Sequence, residues 1–319
     1  MKKIQVLLAT YNGEKYIVDQ INSVLINFER MPSYECEILI SDDASTDRTI
    51  DIVLEHFHWC DKIKILSSER KGGVKNNFSY LIASADADII FFCDQDDFWL
   101  PNKIATFENC FFDEEGKNRF TNIPVLVHSD LCVVDKDLIP VHISMFKYQK
   151  LNPNPTFPNL VVSNSVTGCV TAINRSLLSL LKKSSVADSI MHDWYIGLIA
   201  TALGKTIFIP KSFILYRQHG NNQVGAKKIV LTSVFNFKRF SNVLDSINAT
   251  KKQASLFLDD FSDILDDSHK KILNEYVNSF EKSWTSRLRL FLKGDVVKYG
   301  AIRNFVFFIV YVLLGHRIK

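Results

Sequence analysis

The chain has 319 residues, 47% hydrophobic and 23% charged, enough to bury a full core and too apolar for a disordered or fibrous protein. Its six cysteines stand singly with no C-x-x-C pair, which argues against a disulfide framework and for reduced, buried thiols in the cytoplasm. The net charge of +3 is uneven, with 20 Lys+Arg against 26 Asp+Glu in residues 1–210 and 18 against 9 in 211–319, so the two parts face different electrostatic partners.

The start, Met1-Lys2-Lys3 followed by an apolar stretch over 4–9, is too short for a secretory signal. Residues 4–9, 37–41, 62–66 and 88–93 read as strands, and 14–28, 46–58 and 74–85 have helical length and spacing. That alternation predicts β-α-β units and a largely parallel, doubly wound sheet with helices on both faces. Ligands then sit beyond the carboxyl ends of the strands, where this chain carries Thr10-Tyr11-Asn12, Asp42-Asp43 and Asp94-Gln95-Asp96-Asp97. A proline-punctuated loop at 151–158, expected to border the acceptor side, precedes a further short strand at 168–173. From about residue 228 the alternation stops. Phe257, Phe261, Ile264 and Leu265, then Ile272, Tyr276, Val277 and Phe280, recur at helical intervals. The expected organisation is an α/β domain over 1–225 and a helical appendage over 226–319.

Three carboxylates within the four positions 94–97 repel one another unless neutralised. Mg²⁺ or Mn²⁺ does this with one or two carboxylates while keeping sites for water and substrate phosphates. The competing reading makes Asp96 and Asp97 caps of a helix beginning near Pro101. One cap needs one carboxylate, which favours a metal–diphosphate site. An EF-hand loop is excluded by Trp99 and Ala105 where Gly and Glu are required, and neither G-x-G-x-x-G nor G-x-x-x-x-G-K occurs. Asp42-Asp43-Ala44-Ser45-Thr46-Asp47 opens a helix whose expected N-cap is Ser45 or Thr46. The paired aspartates exceed that need, and a carboxylate at a strand end can accept the imide N–H of uracil or thymine. The last cluster is Met191-His192-Asp193-Trp194 with Tyr216-Arg217-Gln218-His219-Gly220-Asn221-Asn222. Taken alone, Asp193 is as readily a polar group at a helix start as a functional carboxylate.

The segments L-L-A-T-Y-N-G, S-D-D-A-S-T-D, C-D-Q-D-D-F-W-L-P-N-K-I, H-D-W and Y-R-Q-H-G-N-N-Q-V-G follow in that order over 1–225. Together they resemble the inverting family-two glycosyltransferases, closest to their rhamnosyltransferase-like branch, while the helical tail matches only loosely. The resemblance implies a GT-A fold in which Thr10, Tyr11 and Asp42 hold the base and ribose. It makes Asp96 the main ligand of Mg²⁺ or Mn²⁺, with Asp94 the first carboxylate of a D-x-D motif. Arg217 and His219 fall where such enzymes contact the diphosphate or the metal. Asp193 corresponds to the general base that deprotonates the acceptor hydroxyl. The expected donor-binding set is Thr10, Tyr11, Asn12, Asp42, Asp43, Asp94, Arg217 and His219, the metal set Asp96, Asp94 and His219, and the catalytic residue Asp193.

The branch further implies dTDP-L-rhamnose as donor, with UDP-hexoses or UDP-N-acetylhexosamines as alternatives. The acceptor would be a glycan or lipid-linked oligosaccharide of surface polysaccharide or O-antigen synthesis. Q-x-x-R-W is missing, which argues for addition of a single sugar. Two positions depart from the pattern: Ala44 stands where glycine is common, and His192 replaces the usual Glu before the base. A sugar nucleotidyltransferase would need a glycine- and Arg/Lys-rich first loop that 9–13 lacks, and a non-catalytic glycan-binding module would need no separate Asp193.

No zinc-ligand spacing, basic zipper or aromatic-basic RNA signature accompanies the basic C-terminal part, so nucleic acid is not the expected partner. The apolar run at 305–314 is too short to cross a membrane. Residues 282–319 carry eight Lys+Arg and one acid, Asp295. A buried helix and docking on an anionic cytoplasmic leaflet fit the length equally, and the charge favours docking.

Overall fold

The computed structural model describes residues 1–113, 115–219 and 237–317, without the side chains of 237–241 and 317. The expected boundary at 225/226, the Gly220-Asn221-Asn222 end of the last motif and Lys319 lie outside the described residues.

The N-terminal half runs β1 (Lys2–Thr10), α1 (Ile17–Phe28), β2 (Tyr34–Asp42), α2 (Thr49–Phe57), β3 (Ile63–Ser67), α3 (Val74–Ser84), β4 (Ile89–Asp94), β5 (Phe98–Trp99) and α4 (Lys103–Phe111). It continues with β6 (Val125–Val134), β7 (Pro140–His142), α5 (Met145–Gln149), α6 (Phe157–Val162), β8 (Thr171–Asn174), α7 (Arg175–Leu181), α8 (His192–Leu203) and β9 (Lys205–Arg217). The C-terminal helices are α9 (Phe237–Phe261), α10 (Asp267–Asn278), α11 (Trp284–Lys293) and α12 (Ala301–Phe307).

One mixed sheet has the order β3-β2-β1-β4-β8-β6-β9-β5, with β7 paired to β6. The parallel, doubly wound part expected from the alternation is β3-β2-β1-β4. Beyond it, β8 is antiparallel to both β4 and β6, and β9 returns parallel to β6. Strand alternation divides the core between two faces. Ile89, Phe91 and Cys93 of β4 pack with Ile17 and Ile21 of α1 and Phe107 of α4, whereas Ile90 and Phe92 pack with Phe78 of α3 and Tyr195 and Ile199 of α8. Helices therefore cover both sides of the sheet, as the sequence reading expects.

Three details differ from that reading, and a fourth removes the competing reading of Asp96 and Asp97. The long strands β6 and β9 were not among the expected elements, because His128-Ser129-Asp130 interrupts the apolar run of one and Pro210-Lys211 that of the other. The register between them shifts at Ser129/Asp130 and again before Cys132. The strand expected at 168–173 opens as a 3₁₀ turn, Gly168–Val170, and becomes a strand only at Thr171. Neither Ser45 nor Thr46 caps α2, whose N-cap position is Arg48. Asp96 and Asp97 do not cap α4 either: Asn102 occupies that position with φ 72°.

The C-terminal helices share the α3/α8 core. Ile247, Phe257 and Phe261 of α9, Leu273 and Tyr276 of α10, Leu290 of α11 and Phe307 of α12 belong to the same buried cluster as Leu7, Phe92 and Tyr195. Polar ties cross the same seam: Tyr195 donates to Asp260 at 2.6 Å, the Ile190 N–H to Gln253 at 2.8 Å, and Arg303 to the carbonyls of Gln149 and Lys150. The apolar run at 305–314 is split, with Phe307, Val310, Tyr311 and Val312 buried and Phe305 and Leu313 exposed. No described helix is long and apolar enough to cross a membrane.

Candidate active site

The loops after β1 and β2 are stitched together by side chains. The Thr10 hydroxyl donates to Asp42 Oδ1 at 2.7 Å, and the Asp43 N–H to the Thr10 carbonyl at 2.9 Å. Asn12 receives the Thr46 N–H on its side-chain oxygen at 2.8 Å and donates its own N–H to Ser45 Oγ at 2.8 Å. Asp42 also accepts the Ser45 N–H at 2.7 Å and the Ser45 hydroxyl at 2.6 Å. These bonds consume Ser45 and Thr46, which explains why α2 starts later than its sequence suggests. A carboxylate offers about four acceptor positions; Asp42 has filled three, and Oδ2 keeps one. Ala44 in this turn has φ 60°, the left-handed conformation that glycine would adopt more cheaply. Tyr11 is 53% exposed, and its ring is a flat surface open to a planar ring.

Asp43 turns the other way. Its carboxylate accepts the N–H groups of Lys71, Gly72 (2.8 Å) and Gly73 (2.7 Å). Partial burial pushes this carboxyl up, but the three backbone donors prevail and hold it below the ordinary carboxylate range. It fixes the approach to α3, a contact between segments 28 to 30 residues apart that no local pattern marks.

At the end of β4 the three aspartates separate. Asp96 pairs with His219, Nε2 to Oδ2 at 2.7 Å. Asp97 is fully buried and accepts the Arg217 N–H at 3.1 Å. Asp94 stands at the mouth, half-buried. Burial and the charge of Asp96 raise both Asp94 and Asp97, Asp94 to about 7, and the charge of Asp193 adds to the shift on Asp94. Asp94, Asp97 and Cys169 offer ligand atoms within 4.8 Å of one another. Burial pushes the Cys169 thiol well above its ordinary range, so it stays protonated, a poor partner for a hard cation. The two carboxylates of the cluster, Asp94 and Asp97, fit Mg²⁺ or Mn²⁺ chemistry better, and Asp96 lies outside it with its carboxylate on His219.

Two cations brace this acidic end from within. The Lys103 ammonium is fully buried, donates to the Cys169 carbonyl at 2.8 Å and sits 3.2 Å from the centroid of Trp99; burial lowers it to about 7. Arg217 is 3% exposed and donates through Nε to the Asp96 carbonyl at 2.9 Å and through Nη1 to the Lys136 carbonyl at 2.7 Å, with its guanidinium carbon 4.5 Å from the centroid of Tyr16. Its geometry holds the acidic loop in place.

Asp193 lies in the first turn of α8, after the N-cap position Met191. Its carboxylate accepts the Trp194 N–H at 2.6 Å, the Gly168 N–H at 3.1 Å and the Asn164 amide at 3.2 Å. Burial raises it to about 6 against the pull of those donors. Asn164 and Gly168 were not singled out in the sequence, and nothing local marks them. His192 packs against Gly168, stacked on Phe78 at 4.1 Å and beside Phe92 at 5.5 Å. Burial lowers it to about 3, so the imidazole is neutral packing.

The site thus joins a loop pair with an open aromatic ring, an acidic strand end and a second carboxylate that stays ionised only above about pH 6. A sequence model described as glycosyl transferase family 2 matches residues 5–114. The dTDP-rhamnosyl transferase RfbG of Shigella flexneri is 32% identical over 226 residues, which span 69% of this chain and 74% of that protein. An uncharacterized glycosyltransferase of Nostoc sp., alr2836, is 33% identical over 232 residues, 70% of this chain and 67% of that protein. Among solved structures, residues 1–349 of S. aureus TarS in complex with UDP-GlcNAc align with a TM-score of 0.57 at 18% identity, covering 92% of this chain and 76% of that one. The mannosyltransferase PcManGT of Pyrobaculum calidifontis, in complex with GDP-Man and Mn²⁺, aligns with a TM-score of 0.51 at 15% identity, covering 98% and 86%. At these identities the solved structures speak to the fold alone.

Proposed function

The protein belongs to glycosyl transferase family 2, and from that premise we propose that it moves one sugar, L-rhamnose from dTDP-L-rhamnose, onto a hydroxyl of a glycan or lipid-linked oligosaccharide, with inversion. Membership removes the nucleotidyltransferase and binding-module readings. The observation that carries the proposal is the presence of two separate carboxylate sites, Asp94 half-buried at the end of β4 and Asp193 held in the first turn of α8 by the Trp194 and Gly168 N–H groups and the Asn164 amide. Separate acidic groups for the diphosphate end and for the acceptor proton are what a single inverting displacement requires. The similarity to RfbG supports the choice of sugar.

Asp94 and Asp96 would hold Mg²⁺ or Mn²⁺, which supplies charge neutralisation for the departing nucleoside diphosphate. Tyr11 offers its ring to the base, and the remaining lone pair of Asp42 can take an imide N–H. Asp193, oriented by Gly168 and Asn164, removes the acceptor proton. Release of dTDP from dTDP-L-rhamnose, compared with release of UDP from UDP-glucose and UDP-N-acetylglucosamine with and without chelator, tests this reading. Turnover of the UDP-sugars alone would overturn the donor assignment, and unchanged turnover in chelator the metal.

The appendage carries the membrane part of the proposal. Trp284, Leu292 and Phe305 are 52%, 72% and 63% exposed in the segment where Lys+Arg dominate. Arg287 is not available to lipid, since it is 2% exposed and donates to the carbonyls of Ser279, Lys282 and Val312. Arg303 is likewise engaged with the carbonyls of Gln149 and Lys150, whereas the exposed Lys282, Arg289 and Lys293 suit an anionic bilayer surface together with the exposed apolar side chains. Binding to phosphatidylglycerol vesicles should weaken on Trp284→Ala with Phe305→Ala and with added salt. Equal binding to phosphatidylcholine vesicles would contradict it.

A further inference from the structure

Gln95, the middle residue of the acidic run, makes no hydrogen bond to the carboxylates around it. Its Oε1 accepts the Tyr11 N–H at 2.7 Å and its Nε2 donates to the Tyr11 carbonyl at 2.8 Å. A primary amide can meet a peptide unit with one acceptor and one donor in this way, and Gln95 pairs with Tyr11 much as a neighbouring strand would. The rest of the first loop is tied elsewhere: Thr10, Asn12, Gly13 and Glu14 bond to Asp42, Ser45, Thr49 and Asp47 respectively. Only Tyr11 in this stretch reaches across to the β4 loop.

Gly13 supplies a second, independent observation. A Cβ built on it would lie 2.4 Å from Gln95 Oε1, 2.6 Å from Cδ and 3.2 Å from Cγ. These are the three nearest atoms, and all belong to the Gln95 side chain. Gly13 is not among the residues with positive φ, so its backbone conformation does not itself demand glycine. The absence of a side chain at 13 makes room for the amide of Gln95.

We propose that Gln95 is a positioning residue that fixes Tyr11 relative to the acidic loop, and that Gly13 is glycine to admit it. The exposed Tyr11 ring is then held ready for a base before any nucleotide arrives, which lowers the ordering cost of binding. The proposal rests on reading these loops as the nucleotide site.

A double-mutant cycle tests it: unmodified protein, Gln95→Ala, Gly13→Ala and the double variant, each titrated calorimetrically with dTDP and with UDP at saturating Mg²⁺ and again at saturating Mn²⁺. Releasing Tyr11 from its pre-set position should weaken binding roughly tenfold in either single variant, and because the two lost hydrogen bonds are exposed, thermal melting should fall by no more than a few degrees. The double variant should bind no more weakly than Gln95→Ala alone, because Gly13→Ala acts only by displacing the amide. Additive losses, or wild-type affinity in Gln95→Ala, would overturn the role of Gln95 while leaving the nucleotide site intact. Failure of the unmodified protein to bind either nucleotide would overturn both.

Discussion

The donor side and the acceptor side of this cleft are built differently. On the donor side, the loops after β1 and β2 and the Gln95 side of the β4 loop are held by side chain–backbone hydrogen bonds of Asn12, Asp42, Asp43 and Gln95, all within the first 95 residues, while Asp96 and Asp97 are tied to His219 and Arg217. On the acceptor side, Asp193 is oriented by Asn164 and Gly168, and its helix is held by residues much later in the chain, among them Gln253, Phe257 and Asp260. The first is a polar scaffold written into short motifs, and the second depends on tertiary packing. Substitutions on the donor side should therefore cost function at little cost in stability, whereas those behind the acceptor side should cost both.

The sharpest break of that contrast lies at the acidic end. Asp96→Ala should reduce metal-dependent transfer by more than the roughly 10²- to 10³-fold typical of losing one electrostatic contact to a transition state, with thermal melting little changed. Near-normal turnover in this variant would move the metal site elsewhere. The acceptor side is probed by pH. A base must be ionised, and burial places Asp193 at about 6, so kcat/KM should fall roughly tenfold per pH unit below that value. A profile flat down to pH 5 would remove Asp193 from the proton transfer.

Packing gives the next effect. Phe257 is fully buried and lies 5.5 Å from the ring of Tyr195 and 6.0 Å from that of Phe157. Phe257→Ala should destabilise the protein by about 3–5 kcal/mol and shift one cooperative unfolding transition. Two resolved transitions, with only one displaced, would show that the appendage folds on its own. The smallest effect is expected at Ala44, where relief of the left-handed φ should make Ala44→Gly more stable by up to about 1 kcal/mol, read as a rise in Tm, with transfer unchanged.

The same contrast explains how much was legible in the sequence. The parallel strands, their helices and the polar strand ends could be read because each is a local pattern of period 2 or 3.6 followed by carboxylates. Ala44 could be singled out because it stands where the family it resembles commonly has glycine. What escaped depends on distance. Strands β6 and β9 support each other across irregular registers and carry His128-Ser129-Asp130 and Pro210-Lys211, which weaken their local signal. Ser45 and Thr46 looked like caps until Asp42 and Asn12, from two loops, took their hydrogen-bonding groups. Asn164 and Gly168 carry no motif, and only the fold brings them to Asp193. The 305–314 run was ambiguous on length because burial alternates along it, a property of the surface it lands on.

The central claim is that Asp193 acts in proton transfer while the donor is held elsewhere. Steady-state transfer and donor-nucleotide affinity measured together on Asp193→Asn test it most directly. The account predicts unchanged affinity for dTDP with turnover lower by roughly 10²- to 10⁴-fold. Turnover near that of the unmodified protein, or a loss of dTDP affinity that matches the loss of turnover, would contradict it.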